Sequence, residues 1–125
     1  MASTKVRIER RKHKRFRVNS SAFVMLTPPD TCMGRIIDIG ADGLAFEYVD
    51  GEDTPSRPNE LEIIVTDSAF RLNHIPCEII YDLTIYENPV ASSNKKRFGV
   101  QFGKLTDYQR DQIQYFIRNH TTIEP

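Results

Sequence analysis

Apolar residues in this chain come in short alternating runs, and the alternation gives way to a different period near the end. Leu44, Phe46 and Tyr48 alternate with Ala45 and Glu47; Leu61, Ile63 and Val65 share one face; Ile75, Cys77, Ile79 and Tyr81 share another; Phe98, Val100 and Phe102 alternate again. Successive side chains of a strand point to opposite faces, so each run reads as a half-buried strand offering one face to a core. Residues 18–26 and 32–39, rich in β-branched, small and aromatic side chains, add two more strands. From Thr106 the period is helical: Ile113, Phe116 and Ile117 fall on one face, and Thr106 with Gln109 three residues on forms a capping box.

Polar turns separate these runs, at 27–30, at Gly40-Ala41-Asp42-Gly43, across 50–58 and around 88–94, and Pro76 marks an edge or a bulge. Six short strands followed by one helix predict an all-β fold, a six-stranded antiparallel barrel with a C-terminal α-helix over an open end. Closure into a barrel leaves no exposed edge strand. The 125 residues suit one domain with a modest core. The expected organisation is a flexible N-terminal tail over 1–10 and a domain over 11–125, with the barrel at about 16–103 and the helix at about 107–119.

Charge is distributed unevenly along this chain. Lys5, Arg7, Arg10, Arg11, Lys12, Lys14, Arg15 and Arg17 stand against the single acid Glu9, whereas the 108 residues after Arg17 carry nine basic and sixteen acidic groups. A formally neutral sequence therefore joins a cationic arm to an anionic body, and so dense a run of like charge calls for an anionic partner.

Other classes are excluded by what the chain lacks. Its longest apolar runs, such as Ile63-Ile64-Val65, fall far short of the ~20 residues a membrane-spanning helix needs, and no apolar segment follows the basic N-terminus to make a secretory signal. Cys32 and Cys77 have neither CxxC spacing nor a histidine pair nearby, which suits reduced thiols in a cytoplasmic protein. His13, His74 and His120 share no ligand spacing, so no metal and no cofactor are expected. No nucleophile elbow, metalloprotease helix or phosphate loop is present, and the chain is not read as an enzyme.

Two segments carry chemistry. The run Arg10-Arg11-Lys12-His13-Lys14-Arg15 leads straight into the first strand, and guanidinium groups grip phosphate bidentately and stack on bases. The turn Asp38-Ile39-Gly40-Ala41-Asp42-Gly43 places two glycines and an acceptor where backbone N–H groups can face an anion. Taken singly, the first is also a plain basic tail and the second a plain hairpin turn.

Together they resemble the PilZ domain, a bacterial receptor module for cyclic di-GMP. Its R-x-x-x-R motif is matched by Arg11 and Arg15, and its [D/N]-x-S-x-x-G motif by Asp38 and Gly43, with Gly40 standing where the family has serine. The resemblance covers nearly the whole chain, including Arg97-Phe98-Gly99-Val100-Gln101-Phe102 and the closing helix. It implies that Arg11 and Arg15 bind phosphates and a guanine face, that Asp38 accepts hydrogen bonds from a guanine edge, and that Gly43 lets the backbone approach the ligand. Arg10, directly before the motif, implies two stacked ligand molecules per protomer. Gly40 removes one neutral hydrogen bond, ~0.5–1.5 kcal/mol, so restoring serine is expected to tighten binding.

The resemblance also implies a mobile arm that docks on the ligand, and output through an unidentified effector protein in trans. Two other readings stay open: a PilZ-like interaction scaffold with weak or no nucleotide binding, favoured by the loss of serine, and a nucleic-acid binder, opposed by the acidic body and the core-facing aromatics.

Overall fold

The computed structural model describes residues 14–19, 21–27, 32–49, 59–85 and 95–122. These form seven strands and one helix: β1 (Arg15–Arg17), β2 (Ala22–Thr27), β3 (Cys32–Gly40), β4 (Gly43–Val49), β5 (Glu60–Val65), β6 (Arg71–Ile85), β7 (Lys95–Phe102) and α1 (Asp107–His120). Strands β2 to β7 pair antiparallel in the order β3-β2-β5-β6-β7-β4, and a further β3–β4 pairing closes the ring. The six-stranded barrel is therefore present.

The strand expected over 18–26 begins only at Ala22, and a short strand not expected from sequence, β1, precedes it at Arg15–Arg17. β2 pairs with the first half of β3, Leu26 opposite Cys32 and Phe23 opposite Arg35, whereas β1 pairs with its end, Arg15 opposite Gly40 and Arg17 opposite Asp38. Between them the chain leaves the sheet to meet the end of α1: Asn19 N–H donates to the His120 carbonyl at 2.9 Å and Thr122 N–H to the Arg17 carbonyl at 2.9 Å. Asn19-Ser20-Ser21 is a turn-prone cluster that the strand reading passed over; the partner at the helix end, remote in sequence, fixes the break.

The barrel is filled by the inward side chains of every long strand. Val24, Leu26, Ile39, Leu44, Phe46, Ile63, Ile75 and Val100 are fully buried, and Phe98 nearly so. Phe98 lies between Phe46 and Tyr48, with ring centroids 5.5 and 5.3 Å away, spacings at which aromatic pairs attract. α1 lays Ile113 and Phe116 on this core, and Phe70 before β6 packs against Phe116 at 5.6 Å.

The helix is held at its start as its sequence signals. Thr106 Oγ1 accepts from Gln109 N–H and Gln109 Oε1 accepts from Thr106 N–H, both at 3.0 Å. Gln109, 8% exposed, also donates through Nε2 to the carbonyls of His74 at 2.9 Å and Asn73 at 3.3 Å. His74 has φ 59°, in the left-handed region, at the register shift between β5 and β6. The irregularity foreseen at Pro76 is thus a bulge just before it, in a strand paired on both sides rather than at an edge. Among the described residues no helix is long and apolar enough to cross a membrane.

Candidate functional site

Strict alternation along β3 would send Asp38 inward with Ile36. The β3–β4 register shifts between Ile36 and Asp38, so Ile37 is an extra residue; Ile36 and Ile39 both enter the core and Asp38 turns outward. Bulges do this: one inserted residue exchanges the faces of all that follow. The spare carbonyl of Ile37 accepts from Val18 N–H at 3.0 Å, which anchors the end of β1 beside the bulge.

A second bulge acts in the same way on β6. The β6–β7 register shifts between Ile79 and Tyr81, placing Tyr81 opposite Gly99 on the outer surface. The expectation that Ile75, Cys77, Ile79 and Tyr81 share a face is therefore corrected: the first three point to the core side, and Tyr81, 36% exposed, does not. Its ring covers Gly99, where any Cβ would collide with it.

The two bulges produce one continuous row on the outside of the barrel. Arg17 stands opposite Asp38, Asp38 opposite Ala45, Ala45 opposite Gly99, and Gly99 opposite Tyr81. The middle of the row is low, built of Ala45 and Gly99, and its ends rise as charged or aromatic side chains. The adjoining row joins Arg35, Glu47, Arg97 and Leu83.

Arg15 lies across the motif turn. Its side chain is 8% exposed, its Nη1 donates to Asp38 Oδ1 at 3.0 Å, and its Nε is 3.9 Å from Asp42 Oδ1. Nε and Asp42 Oδ1 are both buried atoms with no hydrogen bond among the described residues. Gly40 and Gly43 make room for this guanidinium: a Cβ on Gly43 would stand 3.1 Å from Arg15 Nη2 and closer still to the Val100 carbonyl oxygen. Both glycines thus face the chain's own β1, β7 and Arg15, a packing demand that the motif alone does not reveal.

Arg97 was not singled out from sequence. It donates to Glu47 Oε2 from Nε at 3.1 Å and again from Nη2. The Glu47 hydrogen bonds push its pKa above the usual arginine value against the opposing effect of burial, with Glu47, Tyr81 and Asp38 adding to the field. Arg97 therefore belongs to the same surface as Asp38 and Tyr81. Only the pairing of β7 with β6 and with β4, a strand far from it in sequence, exposes this membership.

Of the residues singled out from sequence, Arg15, Asp38, Gly40 and Gly43 come together in one place, while Arg10 and Arg11 lie outside the described residues. Asp42, whose orientation the motif left open, faces Arg15. A recess of about 540 Å³ adjoins the turn, lined by Ala41, Asp42, Phe102, Leu105 and Ile113 among others. Among the described residues no group of three His, Cys, Asp or Glu side chains could hold a metal ion. The surface thus offers fixed guanidinium donors, carboxylate acceptors and an aromatic edge, a set matched to a planar, hydrogen-bonding anion.

A small closed barrel with a terminal helix, bearing an arginine and an aspartate on one outward face, is the class that fold and site define. The PilZ domain family model matches residues 9–119, and the chain belongs to that family. Among solved structures it is similar to the PilZ domain of YcgR from Escherichia coli with c-di-GMP (TM-score 0.66, 13% identity, 90% of this chain and 92% of that one). It is also similar to the K. pneumonia MrkH–c-di-GMP complex (TM-score 0.68, 13% identity, 90% of this chain but 52% of that one). A third likeness is to the Bacillus subtilis inhibitor of motility MotI/DgrA (TM-score 0.55, 17% identity, 89% and 51% coverage). No curated protein matches the chain in sequence.

Proposed function

We propose that this chain is a receptor for cyclic di-GMP that works in the cytoplasm and reports to an effector protein in trans. The observation that carries the reading is the meeting of Arg15 and Asp38 on an outward surface that also holds Tyr81 and Arg97. The ligand has two guanines and two phosphates, and each kind of group finds a complement. Guanidinium forks suit phosphate oxygens and the O6/N7 edge of guanine; a carboxylate accepts from guanine N–H groups; flat side chains stack on bases.

In this reading Arg11 and Arg15 bind phosphate and a guanine face, Asp38 accepts from a guanine edge, and Arg10 brings a second, stacked ligand molecule. Lys5, Arg7, Lys12, Lys14 and Arg17 steer the dianion toward the surface without selecting it. The YcgR and MrkH structures named above, both with c-di-GMP, support the receptor reading.

The second reading, a PilZ scaffold that binds no nucleotide, is favoured by two observations: Arg15 is already bonded to Asp38, and Gly40 carries no hydroxyl. Calorimetric titration of the full chain with cyclic di-GMP separates the two. The receptor reading expects saturable binding of two molecules per protomer, lost in Arg11→Ala and Arg15→Ala and weakened in Asp38→Ala. Absence of any heat at about 100 μM ligand, an affinity poorer than about −5.5 kcal/mol, leaves the scaffold.

A further inference from the structure

Gly40 is where this chain departs from the family motif, and its surroundings give the departure a cause. It lies inside β3, opposite Arg15, and is not in the left-handed region. Space, not backbone conformation, keeps the position free of a side chain. A Cβ there would stand 2.5 Å from the Lys14 carbonyl oxygen, 3.0 Å from Arg15 Cδ and 3.3 Å from Arg15 Nε. The first of these contacts is with backbone, which cannot rotate away as a side chain can, so β1 itself would have to move.

Arg15 fills the place so vacated. Its Nε lies over residue 40, its Nη2 over Gly43 and its Nη1 on Asp38, and the residue is 7% exposed. Nε remains without a hydrogen bond among the described residues, since Asp42 Oδ1 at 3.9 Å is beyond bonding distance. Nε is itself enclosed, so the space that a serine side chain would enter is filled by Arg15 rather than open to a ligand.

We propose that Gly40 is the seat of the N-terminal strand: this chain has exchanged the motif hydroxyl for a closer approach of β1, which positions Arg15 against Asp38 at the ligand-facing surface. Gly40 is a positioning residue, acting through Arg15. The ligand half of this inference rests on the cyclic di-GMP reading; the docking of β1 does not. A ligand that needs β1 seated binds with an affinity reduced by the fraction of molecules in which β1 is seated. The expected sign for Gly40→Ser is thus opposite to the one the motif alone implies.

The test compares Gly40→Ser and Gly40→Ala with the native full-length chain by amide hydrogen exchange and by cyclic di-GMP titration. The amides of Val18 and Asn19, bonded to the Ile37 and His120 carbonyls, report on β1; those of Thr66 and Gly103, bonded to the Ser21 and Pro76 carbonyls, report on the barrel. Both variants are expected to speed exchange at Val18 and Asn19 by about tenfold or more while Thr66 and Gly103 stay protected. Both are expected to weaken ligand binding by about tenfold, alanine as much as serine, because the Cβ is responsible.

Tighter binding by Gly40→Ser, unchanged exchange at Val18 and Asn19, or loss of protection throughout the barrel each overturns the proposal. If the native chain binds no cyclic di-GMP, the receptor reading fails by itself, and the exchange comparison still decides whether Gly40 seats β1.

Discussion

Arg15 and Asp38 meet at 3.0 Å across 23 residues of chain, and they are unequally buried: the arginine side chain is 8% exposed, the aspartate 29%. The pair fastens β1 to the motif strand, β3. It also makes the two partners unequal in what their loss does, because a carboxylate with access to water is hydrated when its partner leaves, and an enclosed guanidinium is not.

Asp38→Ala is therefore expected to destabilise the fold more than Arg15→Ala. The aspartate variant strands a buried cation whose remaining ion-pair partner among the described residues is Asp42 at 3.9 Å, and about 1–3 kcal/mol is the usual penalty for an unsatisfied buried group of this kind. Urea denaturation of both single variants and the double variant measures the asymmetry. Equal losses in the two single variants would show that the pair behaves as an exposed ion pair.

Gln109 ties α1 to β6 through bonds to the carbonyls of Asn73 and His74 and to Thr106 N–H. Gln109→Ala removes three part-buried hydrogen bonds made by a buried side chain, and a loss of about 1–3 kcal/mol is expected. Thr106→Ala removes only the hydroxyl acceptor, about 1 kcal/mol. The two share one capping box, so chemical denaturation of the double variant should show less than the sum.

His74 holds a left-handed backbone, φ 59°, with its ring largely in solvent against Glu60 at 3.1 Å. Glycine adopts that conformation without the ~1–2 kcal/mol that an L side chain incurs, and an exposed histidine–carboxylate contact contributes little in return. His74→Gly is expected to raise thermal stability, by up to about 1 kcal/mol once the greater freedom of the unfolded chain is counted. A lower melting temperature would mean that the Glu60 contact matters more than its exposure suggests.

Cys77 is a buried free thiol whose pKa is raised from 9.0 to about 11, mainly by burial, with the Glu60 charge adding to it. The folded chain keeps the thiol proton to higher pH than the unfolded chain does. Stability from this group is thus complete below pH 9.0 and is lost as pH rises toward about 11. The loss is expected to be on the order of 2 kcal/mol. Urea midpoints of native protein and Cys77→Ala between about pH 8 and pH 11 should show the native chain falling more steeply.

Much of the fold is legible in the order of side chains alone. The alternating runs at 44–48, 61–65 and 98–102 lie in β4, β5 and β7, and the capping box at Thr106 opens α1 one residue later. These signals are local: a period of two or of 3.6 is written in consecutive side chains, as is a cap. The motif residues are equally visible as chemistry, because arginine forks and an Asp–Gly turn announce themselves by type.

What sequence alone determined, then, is which segments are strands, where the helix begins, and which residue types gather for an anion. The tertiary structure decided which way those residues face. Asp38 and Tyr81 point outward because Ile37 and Ile80 are bulged, and a bulge exists only relative to a partner strand. In the same way Gly40 looks, in sequence, like a serine lost. In the fold it is the space beneath Lys14 and Arg15. A period of two tells an observer that neighbours face apart; the strand alongside alone determines which of the two is inside.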